Sequence, residues 1–118
     1  MLNKNNRLAY ILHQYFMTVK WFGICSEDIL SENFVRDYID HTDAPFEERI
    51  IGAPYCQTLA GDLKYLFSKK VMTRSRVGVY HGQGFPKWVY RYRMDNESDE
   101  WKSAIALYEE LTGEVWRG

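Results

Sequence analysis

The spacing of the apolar residues changes within this chain, from a helical period to a strand period. Up to about residue 70, apolar side chains recur every three or four positions, which is typical of helices that bury one face. From Val71 onward two alternating runs, VMTRSRVGVY and KWVYRYRM, flank the turn HGQG. The stretch SDEWKSAIALYEELTGEVW then returns to the helical period. This order predicts one domain over residues 1–118, with an α+β, mainly α fold of three helices, a β-hairpin and a final helix.

Apolar stripes and capping residues predict the first two helices. We expect the first from Asn5 to about Lys20, and the second from a cap at Ser26 or Ser31 to the DAP sequence that starts at Asp43. The proline closes the second helix because it disfavours helical backbone in the residue before it. The expected stripes are Leu8, Ile11, Leu12, Tyr15, Phe16 and Val19 in the first helix, and Ile29, Leu30, Phe34, Val35, Tyr38 and Ile39 in the second.

The third helix is predicted within YCQTLAGDLKYLFSKK. Pro54 precedes this stretch, where the first turn of a helix tolerates proline. Gly61 weakens the pattern only slightly, because a glycine within a helix costs about 1 kcal/mol relative to alanine. The preceding segment FEERIIGAP is either a short helical turn or a connector. The expected apolar stripe of the third helix is Leu59, Leu63, Leu66 and Phe67.

The predicted hairpin has two chemically different faces. Alternation sends Trp88, Tyr90, Tyr92 and Met94 to one face of the second strand, and Val89, Arg91 and Arg93 to the other. We expect the large residues to pack on the helices and the arginines to stand in water. If the register also set Arg74 and Arg76 beside Arg91 and Arg93, their mutual repulsion would need an anion to offset it.

The final helix, expected over residues 97–116, is acidic and amphipathic. Ser98 or Asp99 can cap it, and Gly113 lies near its end. Its stripe has two alternative partners, namely a second copy of the chain or the first helix of the same domain. The stripe residues are Trp101, Ile105, Tyr108 and Leu111.

Charge is segregated along a chain whose formal net charge is only −1. Residues 63–94 hold eight of the fifteen Lys and Arg residues and no Asp or Glu, whereas the segments on either side are acidic. Such a basic block indicates a surface for a polyanion, although a run of cations is more often simply a solvated face.

The composition excludes several classes of protein. Two cysteines, Cys25 and Cys56, are too few and too far apart for a disulfide framework, so we expect both to be small apolar filler. The N-terminal residues are polar and the sequence has no long apolar run. We therefore expect neither a signal peptide nor a membrane span. We therefore expect a reduced, cytoplasmic protein without a cofactor.

The stretch TLAGDLKYLFSKKVMTRSRVG, followed by KWVYRYRM, resembles the winged helix-turn-helix superfamily. The resemblance covers roughly residues 5–94 and rests on the order and spacing of elements. It implies a third helix that recognises DNA and a hairpin that serves as the wing. Many such domains have glycine where this chain has Lys70. The segment 41–54 is also longer than the usual turn between the second and third helices, so PFEERIIGA is an alternative for the second helix of the motif.

The resemblance implies a set of DNA-contacting residues. Those on or near the exposed face of the third helix would meet base edges, where Gln57 can pair with adenine, and the cations would meet phosphates. His81, Gln83 and Lys87 flank the wing turn. The expected set is Tyr55, Gln57, Thr58, Lys64, Lys69, Lys70, Arg74, Arg76, His81, Lys87, Arg91 and Arg93. The expected partner is double-stranded DNA, bound by a small transcriptional regulator of bacterial or phage type, with a homodimer as a further expectation.

Other functions are less well supported by the sequence. No HExxH, GxSxG or Cys-His motif predicts an enzyme. Asp40, His41 and Asp43 are better explained as a polar helix end than as a metal site. The main alternative is a winged-helix protein-interaction module without DNA binding, because a fold does not fix its function. That module would neutralise its cations with salt bridges and expose an apolar patch instead.

Overall fold

The first helix is the central element of the fold. The computed structural model describes residues 1–19, 32–50, 53–79, 87–93 and 99–116. The helices are α1 (Lys4–Gln14), which continues as a π-helical turn over Tyr15–Val19, α2 (Glu32–Thr42), α3 (Gln57–Ser68) and α4 (Asp99–Thr112). The strands are β1 (Glu47–Ile50), β2 (Ala53–Tyr55), β3 (Thr73–Val79) and β4 (Lys87–Arg93), which form two antiparallel hairpins. The described residues therefore form a small, mainly helical α+β fold, and α1 contacts α2, α3 and α4.

The apolar stripes of the first three helices build the core as predicted. Among the expected apolar residues whose side chains the structure describes, all are buried except Phe67, which is exposed at the end of α3, and Ile39, which is half-buried. The cap of α1 differs from the prediction, because Asn3 and not Asn5 or Asn6 accepts the N–H of Asn6 at 2.9 Å. The predicted positions Ser26, Ile29, Leu30 and Ser31 lie outside the described residues.

A buried polar cluster joins the first three helices. Asp62 of α3 is almost fully buried and accepts two hydrogen bonds from Arg7 of α1, at 3.0 and 3.2 Å. The hydroxyl of Tyr38 in α2 donates to the same carboxylate at 2.7 Å. Arg7 also donates to the carbonyl of Leu2 at 2.9 Å. Because a buried charge without partners is costly, these contacts fix the relative positions of α1, α2 and α3.

This cluster makes the fold sensitive to alkali through Tyr38. Burial, followed by the hydrogen bond to Asp62, raises the pKa of Tyr38 well above its usual range. The folded state therefore keeps the phenol protonated when the unfolded state begins to lose its proton near pH 10. The stability that Tyr38 contributes is complete below about pH 10 and falls by about 1.4 kcal/mol per pH unit above it.

We expect Tyr38→Phe to lower the free energy of unfolding by about 1.5–3 kcal/mol at pH 7, because a hydrogen bond to a charged group is lost. Above pH 10 the difference between the wild type and the variant should shrink. Urea unfolding from pH 8 to pH 11 measures this difference, in which the contributions of the other tyrosines cancel. A difference that stays constant across that range would contradict the assigned role of Tyr38.

The segment between α2 and α3 is a β-hairpin, not a helical turn or a plain connector. Glu47 pairs with Tyr55 and Glu48 with Pro54. PFEERIIGA is therefore not the second helix of a helix-turn-helix, and Pro54 lies in a strand and not in the first turn of α3. The sequence EERIIGA fits a helical period and a strand period equally well, and only its pairing partner decides between them.

α3 ends in a Schellman motif with a lysine at the left-handed position. The N–H of Lys70 donates to the carbonyl of Phe67 at 3.0 Å, and the N–H of Val71 donates to Leu66 at 3.2 Å. Lys70 has a φ of 61°, a conformation in which a side chain costs energy. Lys70 thus occupies the position where Schellman motifs usually have glycine, in the left-handed conformation that glycine adopts most easily.

We expect Lys70→Gly to raise the free energy of unfolding by about 1 kcal/mol, because glycine adopts positive φ without a steric cost. The matched control is Lys69→Gly, which removes the same charge from the adjacent residue, whose φ is −87°. The control should lower stability. Thermal and urea unfolding measure both, and an equal loss in the two variants would refute the strain at Lys70.

The register of β3 and β4 corrects the predicted charge pairing. Arg74 lies opposite Tyr92, and Arg76 lies opposite Tyr90. Arg91 and Arg93 lie opposite Ser75 and Thr73, on the other face of the hairpin. The arginines of the two strands are therefore not paired across the hairpin. Repulsion between them does not require a bound anion to offset it.

The stripe of α4 packs on its own domain. Trp101, Ile105, Tyr108 and Leu111 are half-buried against the core, and the ring centroids of Trp101 and Phe16 are 4.8 Å apart. The helix stops at Thr112, and Gly113 follows with a φ of 73°. The ring of Trp116 packs against that of Phe16, with the ring centroids 4.8 Å apart. Of the two alternatives for this stripe, the structure has the intramolecular one.

Candidate nucleic-acid interface

The outer side of α3 carries a narrow polar stripe. Gln57, Gly61, Lys64 and Ser68 are exposed and follow one another at helical spacing of three or four residues. The only carboxylate of α3, that of Asp62, points inward to Arg7. The outer side of α3 therefore presents polar and positive groups without a negative one.

Gly61 lies in the middle of this stripe and makes it flat. A Cβ atom built at Gly61 would have no neighbour within 4 Å. The glycine is thus not required by packing inside the protein, yet it costs helix stability. Its effect on the surface is to let another molecule approach the backbone of α3 closely.

We expect Gly61→Ala to raise the free energy of unfolding by about 1 kcal/mol, since alanine is the better helix former and its methyl group meets only solvent. Urea unfolding measures the gain. The comparison variant is Ser68→Ala, which loses a 2.6 Å hydrogen bond to Tyr65 and lies in the last turn. A loss of stability in Gly61→Ala would mean that the position is not open.

A basic surface extends from this stripe onto the β3–β4 hairpin. Among the described residues, none of its cations forms an ion pair with a carboxylate, whereas Arg7 does. All are exposed except Arg74, which is half-buried. The basic surface consists of Lys64, Lys69, Lys70, Arg74, Arg76 and Arg93. Arg91 is half-buried and interacts with another group of the protein, so it is not part of the basic surface.

Lys4 adds a cation from outside the basic block of residues 63–94. Its Nζ lies 3.7 Å from the ring centroid of Tyr65, and the Nζ of Lys69 lies 5.5 Å from the same centroid. The half-buried ring of Tyr65 thus links the start of α1 to the basic surface. Lys4 belongs to an N-terminal segment without acidic residues, and this was the one available signal in the sequence.

Aromatic rings and guanidinium groups alternate on one face of the hairpin. The Cζ atom of Arg74 lies 4.1 Å from the centroid of Phe67 and 4.0 Å from that of Tyr90. The Cζ atom of Arg76 lies 5.3 Å from the centroid of Trp88. We call this series Phe67, Arg74, Tyr90, Arg76 and Trp88 the cation–aromatic ladder. Each contact is favourable by roughly 0.5–1 kcal/mol at an exposed site, which offsets part of the repulsion between the arginines.

The hairpin aromatics are only partly where the sequence predicted. Tyr92 is buried in the core, as expected, but Trp88 and Tyr90 are 58% and 43% exposed. Val89, on the opposite face, is buried instead. A strand pattern indicates which residues share a face, but the position of the hairpin relative to the helices decides which part of that face is covered.

One predicted DNA-contacting residue is buried in a strand, and others lie outside the described residues. Tyr55 is only 8% exposed and lies in β2, because α3 begins two residues later than a helix starting at Tyr55 would require. Gln57 is exposed and Thr58 is half-buried at the start of α3. His81 and Gln83 lie outside the described residues, as does the side chain of Lys87.

Cys56 and His41 contact other groups of the protein itself. Cys56 is buried, its thiol donates to the carbonyl of Pro45 at 3.3 Å, and burial raises its pKa, so it stays a protonated thiol. His41 stacks on Tyr10 with ring centroids 4.2 Å apart. Both line an open cavity of about 530 Å³ with His13 and Tyr108. Within the described ranges there is no cluster of metal-binding side chains and no helix with the length and apolar character of a membrane span.

Comparison of the chain with protein-family models, with curated proteins and with solved structures found no match.

Proposed function

We propose that this chain binds double-stranded DNA through α3 and the β3–β4 hairpin, as a divergent winged-helix protein. The observation that carries the proposal is the basic surface, whose six cations have no carboxylate partner among the described residues. Phosphates would supply the missing negative charge. A protein-interaction module that uses its cations for internal salt bridges would lack this feature.

The stripe of α3 is suited to the major groove. A helix fits this groove, and Gln57 and Lys64 have donors and acceptors of the kind that read base edges. Gly61 between them permits close approach, and the inward-facing Asp62 adds no repulsion at the surface. Phosphate contacts from Lys69 and Lys70, at the C-terminal end of α3, would fix the position of the helix.

The hairpin is suited to the role of a wing because both of its faces carry cations. Arg74 and Arg76 lie on one face and Arg93 lies on the other. The minor groove is bordered by two phosphate backbones, so a hairpin that follows it meets phosphates on both sides. The separation of the arginines, which argues against one bound anion between them, is compatible with this arrangement.

We further propose the role of a small transcriptional regulator of bacterial or phage type. Such regulators bind paired half-sites as dimers. Dimerisation through the stripe of α4 would require α4 to leave Phe16 and the rest of its own core. A homodimer would therefore have to use another surface of the chain.

The proposal is tested by fluorescence anisotropy with a random-sequence DNA duplex over a series of salt concentrations. If about four cations contact phosphates, log affinity should fall against log salt with a slope of about −3.6. The double variant Lys64→Gln with Arg93→Gln removes one cation from α3 and one from the hairpin. We expect its slope to be shallower by about 1.8, at about 0.9 for each lost contact.

The matched control is Lys102→Gln, an exposed cation on α4. It should leave the slope unchanged, because α4 lies outside the basic surface. Equal slopes for the double variant and the wild type would place the DNA elsewhere on the protein. An absence of binding at low salt would refute DNA binding and favour the protein-interaction module.

A further inference from the structure

We propose that the cation–aromatic ladder binds unpaired nucleotides, with bases stacked on Trp88 and Tyr90 and phosphates held by Arg74 and Arg76. The inference rests on the proposed function and makes it more specific. The ligand would be DNA with a single-stranded segment beside the duplex that α3 contacts, and on this ligand Arg74 and Arg76 would meet phosphates of the single strand in place of those of the minor groove.

The exposure of the ladder is the first reason for this assignment. Trp88 and Tyr90 are 58% and 43% exposed, although both lie within a regular strand next to the buried Tyr92. Large aromatic side chains are normally covered by their own protein when a core is available. Here each of the two exposed rings has a guanidinium group against it, Arg74 at Tyr90 and Arg76 at Trp88, so that apolar surface and positive charge occur together.

The spacing of the rings favours unpaired over paired bases. Trp88 and Tyr90 are two residues apart on one strand, which separates them by about 6.6 Å. Consecutive bases within a duplex strand are only about 3.4 Å apart and already stacked on each other. Neighbouring bases can rest on these two rings only if the strand is extended and unstacked, as in single-stranded DNA.

The charge of the ladder favours a nucleic acid over a protein partner. Trp, Tyr and Arg are also enriched in protein interfaces, where arginines usually meet carboxylates. The ladder, however, reaches the end of α3 through Phe67, where Lys69 and Lys70 follow, and the described residues of β3 and β4 include no carboxylate. A partner must therefore combine flat aromatic groups with a high density of negative charge, and single-stranded nucleic acid does so in every residue.

The test compares three fluorescein-labelled probes: a 12-nucleotide oligothymidylate, an abasic strand of equal length and a duplex. For Trp88→Ala and Tyr90→Ala we expect oligothymidylate affinity to fall about 5- to 150-fold for each lost ring. Trp88→Phe, which keeps a ring, should retain most of the affinity. Both alanine variants should bind the duplex nearly as the wild type does, because its binding rests on the cations.

Phe46→Ala is the matched control, since Phe46 is 60% exposed and lies outside the ladder. Unchanged oligothymidylate binding in Trp88→Ala and Tyr90→Ala would overturn the inference. The exposed ladder would then favour a protein partner. Equal affinity for the abasic strand would overturn it as well, because phosphates alone would then suffice. Duplex binding without oligothymidylate binding would refute only this inference, whereas binding of neither would refute the proposed function with it.

Discussion

The buried contact between Arg7, Asp62 and Tyr38 determines how the helices are arranged and what the surface presents. It joins side chains from three helices, and α1 and α3 meet through an ion pair between residues 55 positions apart. A buried charge pair is weak as a source of net stability, but removal of one member leaves the other uncompensated. The contact also affects the surface, because it holds the one acidic side chain of α3 in the interior. The electrostatic character of the outer side of α3 thus depends on a contact in the core.

The basic surface is stable without carboxylates because the protein supplies weaker substitutes. Lys69 and Lys70 follow the C-terminus of α3, where the helix dipole favours cations. Arg74 and Arg76 rest on aromatic rings, and Tyr65 is flanked by Lys4 and Lys69. These interactions reduce the repulsion between cations but do not cancel their charge. The cations of the surface therefore keep charge that neutralising salt bridges would have cancelled.

The local parts of this structure could be predicted from the sequence, and the long-range parts could not. The helical stripes follow from spacing, so the sequence predicts Leu8, Leu59 and Leu63 in the core, whereas α4 ends at Thr112, before the expected end at residue 116. The strands β1 and β2, and with them the burial of Tyr55, depend on pairing between short segments with no clear period. The position of Arg74 opposite Tyr92 depends on the register of the two strands. A shift of one residue would place these side chains on opposite faces of the hairpin. Asp62 had no local signal of burial, because its partners lie on other helices.

The β3–β4 hairpin is connected to the helical body in an uneven way. Its strands share their most extensive contacts with each other, while Met72 and Tyr92 enter the core at the base. Farther along β4, Val89 is also buried, and Arg74 contacts the ring of Phe67 at the end of α3. The base of the hairpin is thus shaped by the helical core, whereas its outer part is shaped by the pairing of β3 with β4.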